Sequence, residues 1–127
     1  MSTLKVIHSP KAPQAIGCYS QAIQAGQMIF ISGQIGLDPT TQNLVTGGFE
    51  AQLRQVFNNL NEVIVAAGIN LAQIVKLTIY LKDLNHFPIV NDTMKEYFRE
   101  PYPARATIQI SDLPKGALVE IDAIAVI

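Results

Sequence analysis

The clearest periodicity runs from Phe49 to Ala67, where apolar residues fall at Phe49, Leu53, Val56, Phe57, Leu60, Val63, Ile64 and Ala67. Spacing by threes and fours keeps them on one side of an α-helix for roughly five turns. Arg54, Asn58, Asn61 and Glu62 form the wet side, and Gly68 supplies the stop. A second helix is predicted after Asp83-Leu84-Asn85, which offer caps, with Pro88 tolerated in its first turn. Its stripe is Phe87, Val90, Met94, Tyr97 and Phe98, and Asn91 puts one amide on that apolar side. A buried amide needs a hydrogen-bond partner. A core amide satisfied by backbone and a ligand contact both fit Asn91.

Strand patterns fill the rest. Ile74 to Leu81 alternates apolar Val75, Leu77, Ile79 and Leu81 with Lys76, Thr78 and Tyr80. Leu4 to Ile7 reads as a short strand broken by Pro10 and Pro13, and Ile16 to Ile23 and Met28 to Ser32 read as two antiparallel strands around Gly26-Gln27. Met28 to Ile31 is apolar at every position, which implies burial on both faces of a sheet. The order β-β, helix, β, helix, β-β predicts an α+β fold, a sheet with both helices on one face. Two helices cover only one side, so the other is expected to meet a copy of the same chain, giving a homo-oligomer.

The last run, Ala117 to Ile127, is apolar and β-branched but contains Glu120, which shares a face with Leu118, Asp122 and Ile124. A carboxylate in such surroundings needs a partner. The nearest upstream cation is Arg105, which opens the run A-T-I-Q-I, and Ser111 to Gly116 between the runs is built of turn residues. Pairing as a hairpin would bring Arg105 within a residue or two of Glu120. The charges alone leave a structural ion pair and a functional site equally open.

Composition narrows the classes. A chain of 127 residues that is 49% apolar makes one domain, residues 1–127, with a real core. Formal net charge is −1 with no basic block, so there is no electrostatic footprint for nucleic acid or an anionic membrane. One cysteine, Cys18, excludes an intrachain disulfide. A start without a signal-peptide core and apolar runs too short to span a bilayer point to a soluble, cytoplasmic protein. His8 and His86 stand in no metal-ligand spacing, so no metal site is expected. Ser32 lies in I-S-G-Q-I-G, which lacks a nucleophile elbow, while Ser32-Gly33 marks a strand end where backbone N–H can approach a small ligand. Tyr19 offers a phenol. Arg105, after the stiff Pro101-Tyr102-Pro103, offers a planar fork suited to a carboxylate.

The run P-A-R-A-T-I-Q-I-S-D-L-P-K-G-A-L-V-E-I, with I-G-C-Y-S-Q-A and I-F-I-S-G-Q-I-G, closely resembles the RidA branch of the YjgF/Rid family, the 2-iminobutanoate/2-iminopropanoate deaminases. The resemblance extends from Ile16 to Val126. It implies a chorismate-mutase-like α+β fold and a homotrimer whose sheets close a central barrel, with ligand sites in the clefts between subunits. It assigns Arg105 to the substrate carboxylate, helped by backbone N–H groups of Gly33 and Thr107, and Glu120 to the attacking water. Tyr19, Ser32 and Asn91 would line the pocket. Small 2-imino and 2-keto acids are the implied ligands, and no cofactor is implied. Cys18 stands where the family commonly has proline, and Thr107 where many members have cysteine. Three other readings compete: a non-catalytic, chaperone-like binder of keto acids, a chorismate mutase, and a ribonuclease. Only Arg54, Arg99 and Arg105 are available as arginines for a dicarboxylate substrate such as chorismate, and no His/Lys acid-base pair supports a ribonuclease.

Overall fold

The long amphipathic stripe folds as expected into helix α1, Phe49–Ala66, which ends where Gly68 takes a positive φ of 82°. The computed structural model describes residues 4–127, so the first three residues of the N-terminal segment lie outside it. The strands are β1 (Leu4–Ile7), β2 (Ala22–Ala25), β3 (Met28–Ile35), β4 (Ile74–Leu81), β5 (Ala104–Gln109) and β6 (Val119–Val126), and the second helix is α2 (Phe87–Tyr97). They form one mixed sheet in the order β1-β2-β3-β6-β4-β5. Among the described residues no helix is long and apolar enough to cross a membrane.

Strand periodicity decides what each face meets. In β4 and β6 the residues Leu77, Ile79, Leu81, Val119, Ile121, Ala123 and Ala125 are buried, and with Ile29 and Ile31 of β3 they pack against α1. The alternate residues point to the face without helices, where Val6, Met28 and Phe30 remain 64%, 41% and 43% exposed. The second-face burial implied by Met28 to Ile31 is thus not supplied by the chain's own residues.

Two sequence expectations are corrected. Only Ala22–Ala25 of the expected strand from Ile16 is a strand. The segment before it is held by a buried side chain rather than a ladder: Gln21 Oε1 accepts from Ser9 N at 2.6 Å, and Gln21 Nε2 donates to the carbonyls of Ser9 and Pro13. The β5–β6 hairpin is also not formed. β5 runs parallel to β4, as a strand reached through a helical crossover does, while β6 inserts between β3 and β4. Arg105 therefore faces Leu77, and Glu120 lies between Ile35 and Tyr80. Register puts Arg105 on the helix side of the sheet and Glu120 on the open side, with β4 between them.

α1 also carries buried polar residues that its apolar stripe does not reveal. Asn59 Nδ2 donates to the carbonyls of Leu37 (2.9 Å) and Ile35 (3.2 Å), and Gln52 Oε1 accepts from Leu118 N at 2.9 Å. Both amides tie α1 to the ends of β3 and β6 that carry Gly33 and Glu120. Asn59→Ala takes that donor from the buried Leu37 carbonyl and from the part-buried Ile35 carbonyl, which keeps the Leu37 N–H, and is expected to lower stability by about 1–3 kcal/mol. The check is a urea titration, in which the midpoint should fall at constant slope; an unchanged midpoint would contradict the role given to Asn59.

Candidate functional site

Arg105 leaves the exposed edge strand β5 and turns back onto α2. Its Nη1 donates to Asn91 Oδ1 at 2.6 Å, and its guanidinium carbon lies 4.8 Å from the centroid of the Phe87 ring. Met94 Sδ is a further contact at 3.5 Å. Phe87, Asn91 and Met94 recur at four- and three-residue intervals, so one helix face supplies ring, amide and thioether together. A ring face and a neutral amide orient the fork without neutralising it. Among the described residues Arg105 makes no ion pair. It opens into a cavity of about 510 Å³ that Lys95, Tyr102 and Pro103 also line. Asn91 is thus neither a backbone-satisfied core amide nor free for a ligand through its oxygen.

Glu120 belongs to a second cavity, of about 380 Å³, lined among others by Tyr19, Gly33, Gln34, Leu37 and Lys115. Its carboxyl is pushed up from the ordinary range, first by burial and then by the charge of Asp122 on the same face. Asp122 in turn accepts from the Tyr80 hydroxyl at 2.9 Å, which raises the phenol as well. Gly33 is what admits the carboxylate: a β-carbon there would collide with Glu120 Oε2. Ser32 Oγ donates to the Ser20 carbonyl at 2.6 Å and its N–H to the Gln21 carbonyl at 3.0 Å, so Ser32 fixes the loop that presents Tyr19. Tyr19 is half exposed, its hydroxyl accepting from Ile16 N at 3.4 Å.

Within one chain the structure therefore brings Asn91 together with Arg105, and Tyr19 and Gly33 together with Glu120, in two separate places, while Ser32 is bonded to the Ser20 and Gln21 carbonyls beside the second. Thr107 stands two residues beyond Arg105 on the same side of β5, its Oγ1 buried without a hydrogen-bond partner among the described residues. Sequence reasoning missed Phe87, Lys95, Tyr102 and Lys115. Phe87 belongs to the apolar stripe and reads as core, while Lys95, four residues after Asn91, was recoverable from helical spacing.

Comparison with known proteins adds the following. The profile of the family described as Endoribonuclease L-PSP matches residues 9–127. A 2-iminobutanoate/2-iminopropanoate deaminase of Dermatophagoides farinae is 45% identical over 127 residues, covering 100% of this chain and 99% of that protein. Protein DfrA of Myxococcus xanthus is 52% identical over 124 residues, covering 96% of this chain and 95% of that one. The crystal structure of RidA from Psychrobacter sp. PAMC 21119 superposes with a TM-score of 0.94 at 46% identity, covering 97% of this chain and 99% of the other.

Folding raises the Glu120 carboxyl above its reference value of 4.5. A raised carboxyl contributes stability that is complete below the unfolded-state pKa and is lost as pH rises through the folded-state pKa. Glu120→Gln removes that loss. The variant's melting temperature relative to the parent is expected to rise as pH increases above the ordinary carboxylate range; a difference that does not change with pH would contradict the desolvated setting of Glu120.

Proposed function

The chain belongs to the Endoribonuclease L-PSP family, the YjgF/Rid family, and on that premise we propose that it is a 2-iminobutanoate/2-iminopropanoate deaminase acting in the cytoplasm. It hydrolyses small 2-imino acids to 2-keto acids and ammonia. The observation that carries the reading is the separation of Arg105 and Glu120 on opposite faces of one sheet, each lining a cavity that the other does not reach. A homotrimer resolves it. Three open faces turned inward bury Val6, Met28 and Phe30 in a central barrel, and the Arg105 cavity of one protomer meets the Glu120 cavity of its neighbour.

In that cleft Arg105, already oriented by Asn91 and Phe87, takes the substrate carboxylate in a bidentate grip. The grip holds C2 of the C=N bond against a water bonded to Glu120. Burial makes Glu120 a stronger base than an exposed glutamate, so it removes a proton as the water oxygen attacks C2. The tetrahedral adduct carries hydroxyl and amine on one carbon. Starting from the protonated imine, Glu120 passes its proton to the amine, takes up the hydroxyl proton as the C–N bond breaks and the carbonyl forms, and gives that proton to the departing ammonia, which leaves as ammonium. General acid-base assistance of ~10² to 10⁴-fold suits imines that also hydrolyse unaided. Gly33 and Thr107 N–H groups would support the carboxylate, with Tyr19 and Ser32 bounding the pocket.

The family's endoribonuclease description fits the residues less well. A polynucleotide is held by a run of cations along its successive phosphates, whereas formal net charge here is −1 and the two cavities together are lined by three cations, Lys95, Arg105 and Lys115. The test is 2-ketobutanoate release when a threonine dehydratase supplies the imine in situ. Arg105→Ala is expected to lose at least about 10² of the acceleration. Equal rates for parent and variant would refute the carboxylate role, and keto-acid binding by the parent without rate enhancement would make the protein a binder only.

A further inference from the structure

The cavity around Arg105 has a charge pattern that a monocarboxylate does not use up. Its six lining residues are Asn91, Met94, Lys95, Tyr102, Pro103 and Arg105, and none of them is acidic. Asn91 has committed its oxygen to Arg105 and keeps only N–H donors to offer, and Tyr102 adds a phenol. Two of the six are cations, and among the described residues neither Arg105 nor Lys95 has a carboxylate partner. In a chain with ten acids to nine Lys and Arg residues, two unneutralised cations converging on a cavity to which the same chain contributes no acid mark a site of concentrated positive potential, at whose far side the proposed assembly places the Glu120 of the neighbouring copy.

Lys95 lies one helical turn after Asn91 on α2, so its stem rises along the side of the helix that holds the guanidinium. Its long flexible side chain sets a compact, mobile charge at the cavity. Arg105 is fixed on Phe87 and Asn91. A fixed planar fork beside a mobile point charge matches a ligand with one carboxylate that must be held in place and a second on a short chain.

We propose that the site takes 2-imino dicarboxylates, with Arg105 on the carboxylate next to C=N and Lys95 on the distal carboxylate, so that Lys95 determines specificity by charge. This rests on the deaminase reading above for its chemistry but not for its binding. The four-carbon imine formed by two-electron oxidation of aspartate is the smallest such substrate with a methylene between C2 and the distal carboxylate. Its hydrolysis consumes one water and yields oxaloacetate and ammonia.

The test compares kcat/KM for 2-iminosuccinate and 2-iminobutanoate, each generated in situ, in the parent, Lys95→Gln, Lys95→Glu and Lys95→Arg. The ratio of dianion to monoanion is expected to fall about fivefold in K95Q and by tenfold or more in K95E, and to be kept in K95R. Raising salt should shrink the parent's ratio toward that of K95Q. A ratio unmoved by K95E would overturn the proposal. Calorimetry with oxaloacetate and 2-ketobutanoate separates the two levels: a parent without imine hydrolysis that still binds oxaloacetate at least fivefold tighter defeats the deaminase reading and upholds the cation pair, and equal affinities defeat the cation pair.

Discussion

Glu120 and Arg105 are held apart by the width of β4 and the thickness of the sheet, and most of what the chain can do depends on that separation. Side by side they would neutralise each other, and a close pair of this kind lowers the carboxyl's pKa instead of raising it. Apart, the acid is left desolvated and basic over Gly33, and the cation is left on an aromatic face and an amide, with its charge unanswered. Each half is chemically incomplete in the same chain. In the proposed trimer, burying Val6, Met28 and Phe30 of the exposed apolar face against further copies is also what brings the two kinds of cavity together.

The support for this arrangement runs deep into α1. Asn59 and Gln52 reach out of a helix whose apolar face is fully buried and hold the carbonyls of Ile35 and Leu37 and the N–H of Leu118. These contacts flank Gly33 on β3 and Glu120 on β6. The fixed ends let a glycine and a carboxylate pass at a distance no side chain at residue 33 would tolerate.

Much of this was legible in the sequence, and what was not has specific causes. The α1 stripe, the α2 stripe and the alternation of Ile74 to Leu81 depend on periodicities local to the chain and appear where expected, but the cap expected for α2 does not: Asp83 accepts from Asn85 N and caps a 3-10 turn, Leu84–His86, while α2 begins without a side-chain cap. The acid inside Ala117 to Ile127 and the lone arginine after Pro103 stood out because charge is costly in such company. Strand order is not a local property. Turn residues between Arg105 and Glu120 suggest a hairpin, yet β6, buried on alternate residues along its length, goes to the centre of the sheet, and α2 returns β5 parallel to β4. Likewise Ile16 to Gln21 has strand composition, but the buried Gln21 amide supplies backbone partners that a ladder would otherwise provide. Phe87 was hidden because a stripe of apolar residues does not distinguish a core ring from one that supports a cation.

Mixing two inactive variants tests the shared site most directly. Arg105→Ala and Glu120→Gln protomers, each without activity alone, are unfolded together and refolded. If every site draws Arg105 from one chain and Glu120 from another, random assortment leaves roughly a quarter of the sites intact and about that fraction of the parent's imine hydrolysis returns. Mixed oligomers that form and stay inactive would mean that both residues must come from the same chain, which contradicts a site built between subunits.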